Sequence, residues 1–351
     1  MKKTLIALAA LAATGAFAQS TVTLYGRLDA GYSANTTTTT TAAGVSTEAR
    51  DNGINNNGLA TSYWGMRGSE DLGGGLRANF NLETDVQIDT GTTGTSAGAG
   101  ATAFDRISTI GLSGGFGSVM VGRFYTPMFL STNSTDVFGT GGAYTVNLFT
   151  DGVRASNAVW YSTPAMGGFS AMLMLGRNDT GTTAANATSG VTGLKVNYAA
   201  GPLMVTAAYS KTESTAAGVD LENTGATIGG TYDFGVAKLF ANYIRDKNQS
   251  NPGFTTFPAF NEKTEANLGV SVPMGAVTIL AAYGRNTQDT VVAAGVVDGQ
   301  SGNDYVVGVT YDLSKRTALY VKTGVYNKLD NTALSSGSKT QTTALGMRHL
   351  F

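Results

Sequence analysis

The chain has 351 residues, 47 of them glycine and none cysteine, with 13% charged residues and a formal net charge of −1. That balance gives no electrostatic reason to expect a nucleic-acid partner, and the missing thiols exclude a disulfide framework or a thiolate metal site. A soluble chain carries about a quarter charged residues, so part of this surface is expected to face something other than water.

The N-terminus reads as a secretory signal peptide over residues 1–18. Lys2 and Lys3 precede an apolar stretch from Leu5 to Ala13, and Ala16-Phe17-Ala18 is a small-residue cleavage site before Gln19. The apolar part is shorter than the roughly 20 residues of a membrane-spanning helix. Its removal takes two of the 23 basic residues and none of the 24 acidic ones, leaving three more acids than bases. Residues 19–351 are read as one barrel domain.

From Thr21 onward the pattern has period two, the spacing at which successive side chains leave a pleated strand on opposite faces. The first run is 21–33. In "SYWGMRGSEDLGGGLRANFNLETD" (62–85), Trp64, Met66 and Gly68 share one face while Tyr63, Gly65 and Arg67 share the other. After the "EDLGGG" turn, Leu76, Ala78, Phe80 and Leu82 oppose Arg77, Asn79, Asn81 and Glu83. Runs at 105–114 and 117–125 make the next hairpin. Five more pairs follow, at 154–163 with 168–177, 191–199 with 202–211, 222–233 with 236–247, 263–272 with 276–286, and 303–312 with 316–327, before a last run at 340–351. These make sixteen strands, and an even number returns both termini to one side.

Connections alternate in length. Seven are short: "EDLGGG", "SGGFG", "PAMGG", "AAGP", "DFGVA", "PMGA" and "DLSK", each with residues suited to tight turns. Eight are long and rich in Thr, Asn, Ser and Gly: 34–58, 87–103, 126–153, 178–190, 212–221, 248–262, 287–302 and 328–339. The tract "NTTTTTTAAG" (35–44) is expected at a mobile loop tip.

The two faces are unlike. Leu194, Val196 and Tyr198, or Leu268, Val270 and Val272, lie opposite Lys195 and Asn197, or Asn267 and Ser271, with Lys322 beside Tyr320. Burying the second set in a dry sandwich would cost several kcal/mol per charge, whereas an aqueous lumen removes that penalty. Closure into a cylinder also pairs every strand edge, as hydrocarbon demands. The class expected is therefore all-β: a 16-stranded antiparallel transmembrane β-barrel with short periplasmic turns and long extracellular loops, its apolar face against outer-membrane lipid. Aromatics near strand ends mark two interfacial girdles: Tyr198, Tyr232, Phe234 and Tyr311 near short turns, and Tyr32, Tyr209 and Tyr283 near long loops.

The stretches "VTLYGRLDAG" (22–31), "WGMRGSEDLGGGLRANFNLE" (64–83), "IGLSGGFGSVMVGRFYTP" (110–127), "NAVWYSTP" (157–164) and the terminal "GMRHLF" (346–351) give the whole mature chain a further quality. It resembles the Gram-negative general porins of beta-proteobacterial type. The resemblance implies a homotrimer, a third loop folded into each pore, and a C-terminal Phe351 read by the outer-membrane assembly machinery. It also implies that "TDVFG" (135–139) is the acidic tip of the constriction loop. Asp136 would then face Arg106 and Arg154 on the wall, with Glu83 a lumen carboxylate at the same level. Asp136 and Asp151 are the acidic residues of the 126–153 connection. Arg123, just before it, is expected to buttress its base, and Arg27, Arg67 and Arg77 to carry lumen charge. Where the family usually has an arginine before "WG" this chain has Tyr63, which removes one basic member of the wall.

No nucleophile constellation stands out, and His349 is the single histidine, so neither catalysis, a metal site nor a cofactor is expected. The leading expectation is passive diffusion of ions and small hydrophilic solutes, with selectivity set by charges at the constriction. A substrate-specific channel for organic anions or sugars is the alternative, for which Trp160 and Tyr161 offer only two neighbours of opposite parity. An adhesin or a barrel-borne enzyme would rest on the Thr- and Asn-rich loops or on a serine–histidine pair.

Overall fold

The computed structural model describes residues 21–40, 44–56, 58–94, 102–139, 152–182, 185–216, 219–249, 260–292, 295–331 and 336–351. The signal peptide at 1–18 and Asp151 lie outside the described residues. Seventeen strand segments and one helix make up the described fold. The strands are β1 (Thr21–Thr40), β2 (Ser46–Asn56), β3 (Tyr63–Gly73), β4 (Leu76–Asp85), β5 (Ile107–Gly114), β6 (Gly117–Tyr125), β7 (Arg154–Ser162), β8 (Phe169–Thr182) and β9 (Ala185–Ala200). They continue with β10 (Leu203–Ala216), β11 (Val219–Asp233), β12 (Lys238–Gln249), β13 (Phe260–Met274), β14 (Val277–Val292), β15 (Gly295–Asp312), β16 (Thr317–Asn331) and β17 (Ser336–Leu350). The helix α1 spans Pro127–Ser134, between β6 and β7.

All segments join one antiparallel sheet that closes where β1 pairs with β17, from Arg27↔Leu350 to Thr40↔Gly337. Segments β2 and β3 occupy the same flank of β1. Residues Ala30–Thr40 pair with β2, and Thr21–Arg27 pair with β3. The two are therefore one interrupted strand, and the wall has the sixteen positions expected. Residues 58–62 leave the ladder between them. The Asp29 carboxylate receives them, accepting the backbone N–H groups of Gly58 (3.0 Å), Leu59 (3.1 Å) and Ala60 (2.8 Å). The Tyr320 hydroxyl donates to it from across the barrel seam at 2.6 Å.

The short connections fall where the turn residues place them. Gly201 in "AAGP" and Gly275 in "PMGA" take φ of 54° and 65°, a left-handed conformation that glycine adopts without a Cβ penalty. In "DLSK" the Ser314 hydroxyl accepts the N–H groups of Arg316 and Thr317 instead.

Several long connections are shorter than their composition suggests. Strands β8 and β9 pair as far as Thr182↔Ala185, β10 and β11 as far as Ala216↔Val219, and β14 and β15 as far as Val292↔Gly295. Strand β16 reaches Asn331↔Ser336 on β17. The expected loops at 178–190, 212–221, 287–302 and 328–339 are thus mostly tall hairpins. In the first connection, Asn35–Thr40 is flanked by strands on both sides rather than held at a loose tip. Threonine is β-branched and a good strand former, and a strand with water on both faces needs no apolar residue, so polarity alone misplaced these boundaries.

The faces segregate as expected. Leu268, Val307 and Leu345 are exposed outward, whereas Asn267, Thr206 and Lys322 are buried inside. The outer aromatics Tyr32, Tyr209, Tyr232, Phe234, Tyr283 and Tyr311 are exposed, with Tyr232 against Phe234 and Tyr283 against Tyr305. His349 shares the outward, exposed parity of Leu345 and Met347, its Nδ1 2.9 Å from the Thr317 hydroxyl.

Candidate pore constriction

The chain turns into the lumen directly after β6. Thr126 caps α1: its Oγ1 accepts the Phe129 N–H at 3.3 Å, and Pro127 occupies the first turn, where its missing N–H costs nothing. The same residue ties the two ends of the loop together, its N–H donating to Val153 O (3.1 Å) and its hydroxyl to Gly152 O (3.0 Å). This Thr-Pro pair was the sequence signal for a helix that the period-two pattern did not reveal.

From there the segment lies along the inner wall, over positions that lack a side chain. A Cβ on Gly193 would meet Pro127 at 2.8 Å; one on Gly225, the Met128 Cε at 3.1 Å; one on Gly229, the Thr135 hydroxyl at 2.9 Å. Further along, a Cβ on Gly269 would meet Val137 at 2.8 Å and one on Gly308 the Phe138 ring at 3.0 Å. Glycines on β9, β11, β13 and β15 therefore form a seat for residues 127–138. Met128 is fully buried with Ala208 and Ile244, and Phe138 is buried with Leu59, Ala282, Val306, Tyr320 and Ala344. Polar ties add to this: Ser131 Oγ lies 3.1 Å from Thr206 Oγ1, and Asn242 Nδ2 donates to Thr135 O at 3.2 Å.

Asp136 belongs to this docked tip. It is 7% exposed, Oδ1 accepts the Phe138 N–H at 2.9 Å, and Oδ2 has no hydrogen-bond partner among the described residues. Burial pushes its carboxyl from an ordinary 3.8 up to about 7, against the opposing pull of the Phe138 N–H and of Lys322 on β16. Its carboxylate is thus buried against the wall rather than presented to open water.

A second group of residues carries the basic charge. Arg106, immediately before β5, pairs through Nε with Glu83 Oε1 at 2.6 Å, and both side chains are 6% exposed. Its Nη2 donates to the Tyr125 hydroxyl at 2.6 Å. The Tyr25 hydroxyl lies 2.7 Å from Asn81 Oδ1 and 3.0 Å from Glu83 Oε2. Tyr63 stands between two guanidiniums, with Arg27 Cζ 5.0 Å and Arg106 Cζ 4.8 Å from its ring centroid. Arg154 Cζ lies 4.7 Å from the Tyr125 ring, and Arg67 Cζ 5.0 Å from the Tyr25 ring. Each such contact contributes about 0.5–1 kcal/mol where water reaches it and about 2 where it does not.

Arg27, Glu83, Arg106 and Arg154 are thereby brought into one connected group, with Tyr63 at its centre. Arg123 stands at its edge and bridges the loop base, donating from Nε to Asp105 O (2.6 Å) and from Nη1 to the Ser156 hydroxyl (2.7 Å). Arg77 is exposed on β4 beside the short-turn end, away from the group. Phe351 sits at the seam, exchanging backbone hydrogen bonds with Gly26. Tyr25, Tyr125, Phe129 and Asp29 are the members that sequence patterning missed.

A closed cylinder, apolar outside and polar within, with a loop seated on its inner wall, defines a water-filled diffusion channel of the outer membrane. The chain belongs to the Gram-negative porin family, whose profile matches residues 4–332. It is 33% identical to outer membrane porin protein 32 of Delftia acidovorans over 97% of this chain and 93% of that one. It is 30% identical to major outer membrane protein P.IB of Neisseria lactamica over the full length of both. In fold it is similar to the anion-selective porin from Comamonas acidovorans, with a TM-score of 0.74 and 29% identity over 95% of this chain and 100% of that chain.

Proposed function

We propose that this passive outer-membrane channel prefers anions, and that Arg27, Arg106 and Arg154 with Tyr63 line its narrowest part opposite the third loop. One observation carries the reading: Asp136, expected to face the arginines, and Glu83, expected as a lumen carboxylate at their level, are both buried, the first on the docked loop tip and the second spent on Arg106. The uncompensated charge reaching water there is basic. A low-dielectric wall focuses such a field, raising the local anion concentration and orienting dipolar solutes. The channel catalyses nothing in this reading, and solute gradients drive transport. Reversal potentials across a KCl gradient test it: the channel should pass chloride over potassium, and the double variant Arg106→Ala/Arg154→Ala should shift the ratio toward cations. An unchanged ratio would remove both residues from the filter.

By its family resemblance the protein assembles as a homotrimer, exported by residues 1–18 and inserted through recognition of Phe351. Cross-linking in outer membranes and truncation of Phe351 test the trimer and the insertion signal separately.

A further inference from the structure

The basic group is interleaved with rings throughout. Arg67, Tyr25, Tyr63, Arg106, Tyr125 and Arg154 follow one another through contacts of 4.7–6.1 Å, with Arg27 joining at Tyr63 at 5.0 Å. At its loop end the strip continues into aromatic packing that runs down to the buried Trp160. Tyr125 stacks on Phe129 of α1 (4.7 Å, 12°) and meets Phe124 edge-on (5.6 Å), which stacks on Trp160 (4.7 Å, 10°). A β-bulge builds this junction. The register of β6 against β7 slips between Gly122 and Phe124, so Ser156 and Asn157 oppose a single residue, and Asn157 takes φ of 51°.

Hydrogen-bonding capacity is left over on the cations. Among the described residues Arg27 spends only Nε, on Thr61 O at 2.8 Å. Arg154 makes, among the described residues, one long bond, 3.4 Å from Nη2 to the Tyr125 hydroxyl, and since its Nε is buried the capacity left for a solute is on its Nη groups. Stacking on tyrosine fixes a guanidinium plane without consuming its N–H edge, which matches a carboxylate bidentately. A chloride ion needs no ring, and a sugar needs no row of cations.

We infer that this strip binds planar aromatic carboxylates, the carboxylate on the N–H edges of Arg27 and Arg154 and the ring against Tyr63, Tyr125 and Phe129. The inference deepens the anion-preferring channel proposed above and rests on it for the supply of anions to the strip. Ring stacking beyond simple burial is worth about 0.5–1.5 kcal/mol, so an aromatic anion should bind about fivefold more tightly than an aliphatic one of equal size and charge.

Planar-bilayer recordings in KCl supply the test, with benzoate, cyclohexanecarboxylate and neutral benzamide as added probes. Benzoate should block the current saturably at a concentration about fivefold lower than cyclohexanecarboxylate, and benzamide should block least. Tyr63→Leu and Phe129→Leu, each of which keeps every charge, should bring the two acids within about twofold of each other, and Arg154→Gln should weaken both. Equal block by the two acids in the unmodified channel would overturn the inference, as would a benzoate advantage that survives in both leucine variants. A cation-preferring reversal potential together with benzoate-selective block would instead leave the strip standing and remove the anion preference.

Discussion

Tyr63 occupies a position where an arginine would add a third guanidinium beside Arg27 and Arg106, and its ring instead accepts both cations. The expected consequence of Tyr63→Arg is a reversal potential moved further toward anions, because charge is added while Glu83 remains spent on Arg106. An unchanged potential would place Tyr63 outside the selectivity-determining region. Asp136 makes the other residue-scale prediction. Its carboxyl titrates at about 7 in the folded protein against 3.8 ordinarily, so the fold favours the protonated form. The resulting contribution is fully present below the ordinary value and is lost as pH rises through about 7. Denaturant stability should therefore fall between roughly pH 4 and 7, and Asp136→Asn should flatten that slope. An Asn variant with the same slope as the unmodified protein would assign the titration to another group. The charged members of the constriction were legible as residues, but their fate was not. Whether Glu83 faces solvent or Arg106, and whether Asp136 meets water or Phe138, depends on side-chain pairing between segments far apart in sequence.

At the scale of elements, the inner glycines explain why the third loop rests where it does. Nothing in period-two patterning distinguishes a glycine that ends a strand from one that makes room for another segment, so Gly193, Gly225, Gly269 and Gly308 read only as weak strand residues. Their meaning emerges when the loop lies on them. A branched side chain at Gly269 would occupy the volume of Val137, and Gly269→Val should lift the tip from the wall and change single-channel conductance while leaving the barrel folded. Conductance identical to that of the unmodified channel would show that the loop absorbs the methyl groups in place. The hairpins illustrate the opposite failure. Strand existence and order followed from alternation within the membrane, where one face must be apolar. Beyond it, at Ser214–Ala216 or Thr180–Thr182, that constraint is gone and only the backbone ladder marks a strand.

The whole molecule inverts the usual arrangement of a folded domain, with charges such as Lys322 and Glu265 buried inside and Leu268, Val307 and Leu345 exposed without. That inversion is stable only if the exposed band is solvated by hydrocarbon. Closure between β1 and β17 leaves no strand edge to bring unpaired backbone into that medium. Leu268 tests the claim at one point. It lies on β13 six residues before the strand ends at Met274, is 61% exposed, and alternates with the buried Asn267. A rise of about 3.3 Å per residue along a strand tilted about 40° sets it near the middle of a hydrocarbon band about 25 Å tall. In water an exposed leucine changed to arginine would alter stability by less than about 0.5 kcal/mol. In the membrane Leu268→Arg should cost about 2–4 kcal/mol, measured by reversible denaturant unfolding from lipid vesicles. A cost near zero in vesicles would mean that this face meets water rather than lipid, and the orientation of every lumen residue would have to be reassigned with it.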